Sequence, residues 1–292
     1  MRAHGSIEVR DLGYVLQRPL LEDVSLTFRP GELTALSGPS GSGKTTLLSI
    51  VGGLVEATTG EVTYADRPTW LGTGDPSPEF AFVLQVYGLV PILSALENVS
   101  VALRARGVRP DEADERAAEA LARFHIADLG ERQVEELSGG QMQRVACARG
   151  FVVRPEILLA DEPTSELDEG NRSMVLAELR AEAREGAIVV VATHDPAVVA
   201  ACDRHYALDE GRLVVAEEQH PEPTPPVAPT GHHRRDRTTD EASEEADSTP
   251  APPPRHARSV LPEPAEPHGL TPTADEPDPG QDSPFARPPR ES

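Results

Sequence analysis

The segment Gly38-Pro39-Ser40-Gly41-Ser42-Gly43-Lys44-Thr45 constrains this chain more than any other part of it. It reads G-x-x-x-x-G-K-T. Before it stands Glu32-Leu33-Thr34-Ala35-Leu36, a short run of strand character, and after it Thr46-Leu47-Leu48-Ser49-Ile50-Val51 opens a helical pattern. Strand, glycine loop and helix in that order make a phosphate cradle. Glycines at 38, 41 and 43 allow backbone angles that turn successive N–H groups toward one anion. The helix N-terminus behind them adds a partial positive charge. Lys44 is placed to reach the β- and γ-phosphates of a nucleotide, and the Thr45 hydroxyl to ligate Mg²⁺. Of the 27 basic residues, Lys44 is the only lysine, the rest being arginine.

Composition divides the chain near Ala216. Residues 217–292 hold 18 of the 29 prolines and a single aromatic, Phe285. Such a stretch cannot bury enough apolar surface to offset its chain entropy, so an acidic, proline-rich, disordered tail is expected there. Residues 1–216 are expected to form the folded domain. The formal charge of −22 argues against nucleic acid as a partner, because that binding rests on neutralising phosphates. The richest apolar run, Ala187-Ile188-Val189-Val190-Val191-Ala192, is far short of a membrane span, and Met1-Arg2-Ala3-His4-Gly5-Ser6 leads into no apolar signal segment. Cys147 and Cys202 lack metal-type spacing. A cytosolic protein that does not enter the bilayer by itself is the expectation.

Two further motifs carry chemistry. Ile157-Leu158-Leu159-Ala160-Asp161-Glu162 is an apolar strand ending in two carboxylates. Asp161 is placed to hold a Mg²⁺ shell opposite Thr45. Glu162, expected on the other face of the strand, is placed to polarise a water. A solvated turn at Pro163-Thr164 is the plainer reading, and the glycine loop tips the balance to catalysis. Leu137-Ser138-Gly139-Gly140-Gln141 opens a helix, with Ser138 and Gln141 forming a capping box. A cap alone explains neither glycine, whereas bare N–H groups at a helix start suit a second anion.

These three motifs, in this order, resemble the nucleotide-binding subunit of an ATP-binding cassette (ABC) transporter, over roughly residues 6–216. The resemblance implies an α/β P-loop NTPase core, with an antiparallel β-subdomain and an α-helical subdomain at about 86–136. It implies an ATPase that uses ATP and Mg²⁺. The nucleotide set carried over is Tyr14, stacking on adenine, and Gly38, Pro39, Ser40, Gly41, Ser42, Gly43, Lys44, Thr45 and Thr46. Ser138, Gly139, Gly140 and Gln141 close over the ATP of a second copy, and Asp168, in Ser165-Glu166-Leu167-Asp168, meets the dimer interface. Gln85, which follows Phe80-Ala81-Phe82-Val83-Leu84, matches a glutamine that contacts metal and water, so the metal set is Thr45, Gln85 and Asp161. Glu162, His194 and Gln85 form the implied catalytic set. A homodimer on the cytoplasmic face of a separate transmembrane permease is implied as well.

The permease contact is expected between Gln85 and Leu137, on Val86, Tyr87, Leu89, Val90 and Leu93. A helix from Leu93 to about Gly107 and another after Pro110, with Ala113, Ala117, Leu121 and Phe124 inward, complete that region. Tyr87-Gly88-Leu89-Val90-Pro91 and Ala95-Leu96-Glu97-Asn98-Val99 resemble the branch that exports lipoproteins, macrolides and peptides. The rival readings are a soluble ABC ATPase, such as one for iron–sulfur assembly, and an ATP-sensing regulator. Three departures stand out: a short segment between Gly60 and Gln85, a charge at Glu166, and Gly150 inside the signature helix. In the tail, His232-His233-Arg234-Arg235-Asp236-Arg237 and Ser243, Ser248 and Ser259 admit a regulatory role, with an unselected extension the plainer reading.

Overall fold

The computed structural model describes residues 3–218. Along the chain run β1 (Ile7–Val15), β2 (Pro19–Phe28), β3 (Leu33–Ser37), α1 (Lys44–Val51), β4 (Thr59–Tyr64), β5 (Arg67–Pro68) and β6 (Phe80–Val83). Then come α2 (Ala95–Arg104), α3 (Pro110–Arg123), α4 (Gly139–Val152), β7 (Ile157–Asp161), α5 (Glu169–Arg184), β8 (Ile188–Ala192), α6 (Pro196–Ala200), β9 (Arg204–Asp209) and β10 (Arg212–Glu218). The last strand carries ordered backbone two residues past the boundary expected at Ala216. The rest of the expected tail, with its basic patch and serines, lies outside the described residues.

Two sheets form. The six-stranded sheet has the order β10-β9-β3-β8-β7-β6, parallel except for β10 against β9. The four-stranded sheet, β2-β1-β4-β5, is antiparallel. The strands β3, β7 and β8 are buried almost throughout and mostly apolar because both of their faces are covered, as parallel strands require. Their period-two alternation sends Leu36, Ile157, Leu159, Ile188, Val190 and Ala192 into a core shared with α1 and the antiparallel sheet. Leu33, Ala35, Leu158, Ala160, Val189 and Val191 face the opposite core, against α2, α3, α4 and α5.

The segment between Gly60 and Gln85 is as abbreviated as its prolines suggest: β4 and the two-residue β5 are followed by loop as far as β6. Gly60 (φ 75°) lies where β4 crosses β1, and a Cβ there would stand 2.4 Å from the carbonyl oxygens of Arg10 and Asp11. The expected first helix starts at Ala95, two residues after Leu93, because Ser94 takes the N-cap and pairs reciprocally with Glu97. The second helix buries Ala113, Ala117, Leu121 and, at its C-cap, Phe124. Phe124 meets Phe151 of α4 edge to face at 5.1 Å, so α4 completes the helical layer although it lies beyond residue 136. Gly150 has a packing reason: a Cβ there would come 3.0 Å from Val83 of β6.

Candidate functional site

Every strand of the parallel sheet that carries a predicted site residue delivers it at the same edge. The loop after β3, Gln85 after β6, Asp161 at the end of β7 and His194 after β8 meet there because β3, β8, β7 and β6 are parallel neighbours. Ligands bind outside the carboxyl ends of such strands. A cleft of about 530 Å³ opens at this edge, lined by Ser40, Gly41, Gly43, Lys44, Thr45 and Thr46. Gln85, Asp161, Glu162 and His194 line it from the other side, and Arg18 and Leu20 stand at its margin.

The loop has the shape the glycines predict. Gly38, Gly41 and Gly43 adopt φ of 144°, 81° and 105°. At Gly38 a Cβ would fall 2.1 Å from the carbonyl oxygen of Leu208, so no side chain fits. Gly43 caps α1 in a left-handed conformation, which leaves the first N–H groups of that helix turned toward the cleft. Lys44 is buried, and its ammonium donates to the carbonyls of Gly38 (2.7 Å) and Pro39 (3.0 Å). Three donors on one nitrogen leave one for a phosphate.

Thr45 Oγ1 donates to Asp161 Oδ2 at 2.6 Å, which brings a hydroxyl and a carboxylate from distant parts of the chain to one point. Burial pushes the Asp161 carboxyl above its ordinary value; the Thr45 hydrogen bond opposes the shift, and the neighbouring charge of Glu162 adds to it. Glu162 departs from the expectation of opposite faces. The strand ends at Asp161, and Glu162 takes φ 49°, so the two carboxylates line the same cleft instead of alternating. A hydrogen bond from its N–H to Ala192 O (2.9 Å) holds the turn. The Glu162 side chain is buried; its Oε1 lies 2.7 Å from His194 Nδ1, and its Oε2 accepts from the Thr193 hydroxyl at 3.5 Å. The His194 ring is mostly exposed, so one edge faces Glu162 and the other the cleft opening.

The remaining predicted residues stand elsewhere. Ser138 and Gln141 form the expected capping box at the start of α4, outside the cleft lining. The glycines between them have a local cause: a Cβ on Gly140 would stand 2.8 Å from the carbonyl oxygen of Glu166, and one on Gly139 3.2 Å from Glu166 Oε2. The charge at Glu166 thus lies against the N-terminus of α4, beside Tyr87, whose hydroxyl it helps to hold above the ordinary range after burial. Asp168 caps α5, accepting from the N–H and side-chain amide of Asn171 at 2.8 Å each; those bonds hold its carboxyl below the usual range. Tyr14 is half-buried, with its ring against the core beneath β1 and β2, and is not among the residues lining the cleft. Sequence reasoning missed Arg18 and Leu20, whose place depends on how the β1–β2 hairpin lies over the loop.

The segment after Gln85 is exposed at Val86 (80%), Ile92 (77%) and Val90. Ile92 was not among the expected contacts, and Leu89 packs against the helical core instead. The segment is pinned at both ends. Arg149 donates to the carbonyls of Tyr87 and Gly88, and buried Asn98 accepts from the Val90 N–H at 2.7 Å and donates to the Val90 carbonyl at 3.1 Å.

Comparison with known proteins follows the same lines. A sequence model described as ABC transporter matches residues 21–165. The lipoprotein-releasing system ATP-binding protein LolD of Chromohalobacter salexigens is 41% identical over 201 residues, 66% of this chain and 84% of that protein. The Fe(3+) ions import ATP-binding protein FbpC 1 of Rhizobium meliloti is 40% identical over 195 residues, 66% of this chain but 55% of its own length. Among solved structures, the dimeric post-hydrolysis state of the ATP-binding cassette MJ0796 bound to ADP and Pi aligns with a TM-score of 0.67 and 31% identity. That alignment covers 73% of this chain and 99% of the other.

Proposed function

The chain belongs to the ABC transporter family of ATP-binding proteins, and on that premise we propose that it hydrolyses ATP in the cleft at the carboxyl edge of its parallel sheet to drive a separate membrane permease. The observation that carries the reading is the convergence, in one cleft, of the Thr45–Asp161 pair and the Glu162–His194 pair beside the glycine loop. The loop N–H groups and Lys44 bind and orient the phosphates. Glu162 accepts a proton from the attacking water, and His194 fixes the Glu162 carboxylate while facing the terminal phosphate. Positioning and charge stabilisation supply most of the rate in such transfers.

The donor set suits Mg²⁺. Thr45, Asp161 and Gln85 offer a hydroxyl, a carboxylate and an amide, all hard oxygens, and Mg²⁺ on a nucleotide needs only one or two protein ligands besides phosphate and water. Bound there, the ion would neutralise the developing charge between the outer phosphates.

Residues 138–141, outside the cleft of their own chain, and Asp168 are proposed to complete the cleft of a second copy. The dimeric state of MJ0796 supports this arrangement. No described helix is long and apolar enough to cross a membrane. The proposed permease is another chain, and the proposed location is peripheral, on its cytoplasmic side. Export is the proposed direction, supported by a likeness that runs over 84% of the lipoprotein-releasing subunit and 55% of the iron importer's. The test is phosphate release by the purified chain with Mg-ATP, followed by capture of the Glu162→Gln protein with ATP from solubilised membranes. Turnover together with a polytopic partner supports the reading; turnover with only soluble partners removes the transport half of it.

A further inference from the structure

The charge at Glu166 stands out in the sequence and has no part in the chemistry of the cleft. Its side chain is exposed and makes no ion pair or hydrogen bond among the described residues. What distinguishes it is where it stands. Glu166 Oε2 lies 3.2 Å, and the Tyr87 hydroxyl 3.4 Å, from the point a Cβ on Gly139 would occupy. The carbonyl oxygen of Glu166 lies 2.8 Å from the corresponding point on Gly140. Side chain and backbone of this one residue therefore border the first turn of α4. The partial positive charge of a helix start favours a carboxylate there. Its field reaches Tyr87, where burial first and the Glu166 charge second raise the hydroxyl above its ordinary value.

Neither arginine of α4 answers this charge. Arg144 donates to the carbonyls of Gly140 (3.4 Å), Phe124 (3.3 Å) and His125 (3.3 Å). Arg149 donates to those of Tyr87 and Gly88. The backbone that carries Glu166 is held as well. The Ser165 N–H donates to Glu162 O at 3.3 Å, the Leu167 N–H donates to Thr164 O at 3.2 Å, and the Leu167 side chain is buried. Only the Glu166 side chain is free to move.

Residues 138–141 are the segment proposed to close over the triphosphate of a second copy. That triphosphate would bring its own negative charge to the place where Glu166 already stands, and like charges at close range repel. In a symmetric pair of copies the conflict occurs twice. We propose that Glu166 is a brake on self-association: its carboxylate, resident at the first turn of α4, opposes the nucleotide of the second copy and weakens the ATP-bound dimer. The proposal rests on the reading of residues 138–141 as the contact with that nucleotide, and names what limits the contact. Closure then swings the exposed Glu166 side chain into solvent, while Asp168, bonded to Asn171, stays in place.

The experiment is sedimentation velocity of the full chain with saturating Mg-ATP, comparing Glu162→Gln with the double variant Glu162→Gln/Glu166→Gln. The first substitution slows hydrolysis, so ATP stays bound in both. At about 0.1 M NaCl the double variant is expected to dimerise about 10-fold more tightly, roughly 3-fold for each of the two contacts. At about 1 M NaCl, where the screening length falls to about 3 Å, the gap is expected to close. Equal or weaker dimerisation of the double variant at low salt would overturn the assignment. So would a gap that persists at high salt, which would make the effect one of shape and not of charge. If both proteins bind a fluorescent ATP analogue yet stay monomeric at every concentration, the contact reading of residues 138–141 fails, and the brake with it.

Discussion

His194 Nδ1 lies 2.7 Å from Glu162 Oε1, although the two residues leave different strands. They meet because β7 and β8 are parallel neighbours, with Asp161 in register with Ala192, so each chain turns off the sheet at the same level. The contact fixes the carboxylate that has left the strand conformation. Glu162→Gln is expected to keep ATP affinity and lower turnover by about 10²- to 10⁴-fold, the contribution of a positioned general base. His194→Ala should lower kcat with little change in binding. Phosphate release and ATP binding measured on the same preparations check both; a Glu162→Gln protein with wild-type turnover would remove Glu162 as the base.

Asp161 carries a cost in the nucleotide-free protein. Burial raises its carboxyl above the ordinary 3.8, so the folded state favours the protonated form. The associated stability is fully present below that ordinary value and is lost as the pH rises through the raised native one. Asp161→Asn removes the charge and keeps an acceptor for Thr45. Thermal melting without nucleotide should therefore show the variant above the wild type at neutral pH, with the gap closing as the pH falls toward the carboxylate range. A variant that melts below the wild type at neutral pH would contradict this. Mg²⁺-dependent turnover should be lost in the same protein.

Gly60 is constrained twice, by φ 75° and by two carbonyl oxygens 2.4 Å from where a Cβ would sit. Gly60→Ala is expected to cost about 1–3 kcal/mol of stability, as overpacking does. Melting temperature checks the loss. Gly60 does not line the cleft, so kcat per folded molecule should be unchanged.

The exposed apolar side chains of the 86–92 segment predict a separable defect. The side chains of Val86 and Ile92 do not line the cleft, so ATPase activity of the purified Val86→Asp and Ile92→Asp proteins should stay within about 2-fold of wild type. Capture of the membrane partner should fall by about 10-fold or more if these side chains anchor the contact. Retained capture in both variants would move the docking surface elsewhere.

How much of this was written in the sequence varies with the kind of constraint. The loop, the capping box at Ser138 and the strand ahead of Asp161 were legible because each depends on residues a few positions apart. The convergence of Gln85, Asp161 and His194 needed strand order, which local pattern does not encode; the family resemblance supplied it. Alternation at the end of β7 put Glu162 on the wrong face because the strand stops one residue early and the next backbone angle is left-handed. Arg18 and Leu20 were not legible at all. Their position depends on a hairpin folding over a loop some 20 residues downstream, and neither side chain has a pattern of its own. The two signature glycines were legible as unusual, but their packing reason, the backbone of Glu166, was not.

Gln85 lines the cleft, and Val86, the next residue, is 80% exposed on the outer surface. One peptide bond therefore separates a group in reach of the nucleotide from one in reach of a partner, and the pins at Tyr87, Gly88 and Val90 leave little slack beyond it. A partner seated on Val86, as proposed, and a nucleotide beside Gln85 would share that link: whatever factor partner contact applied to nucleotide affinity, nucleotide would have to apply to partner affinity.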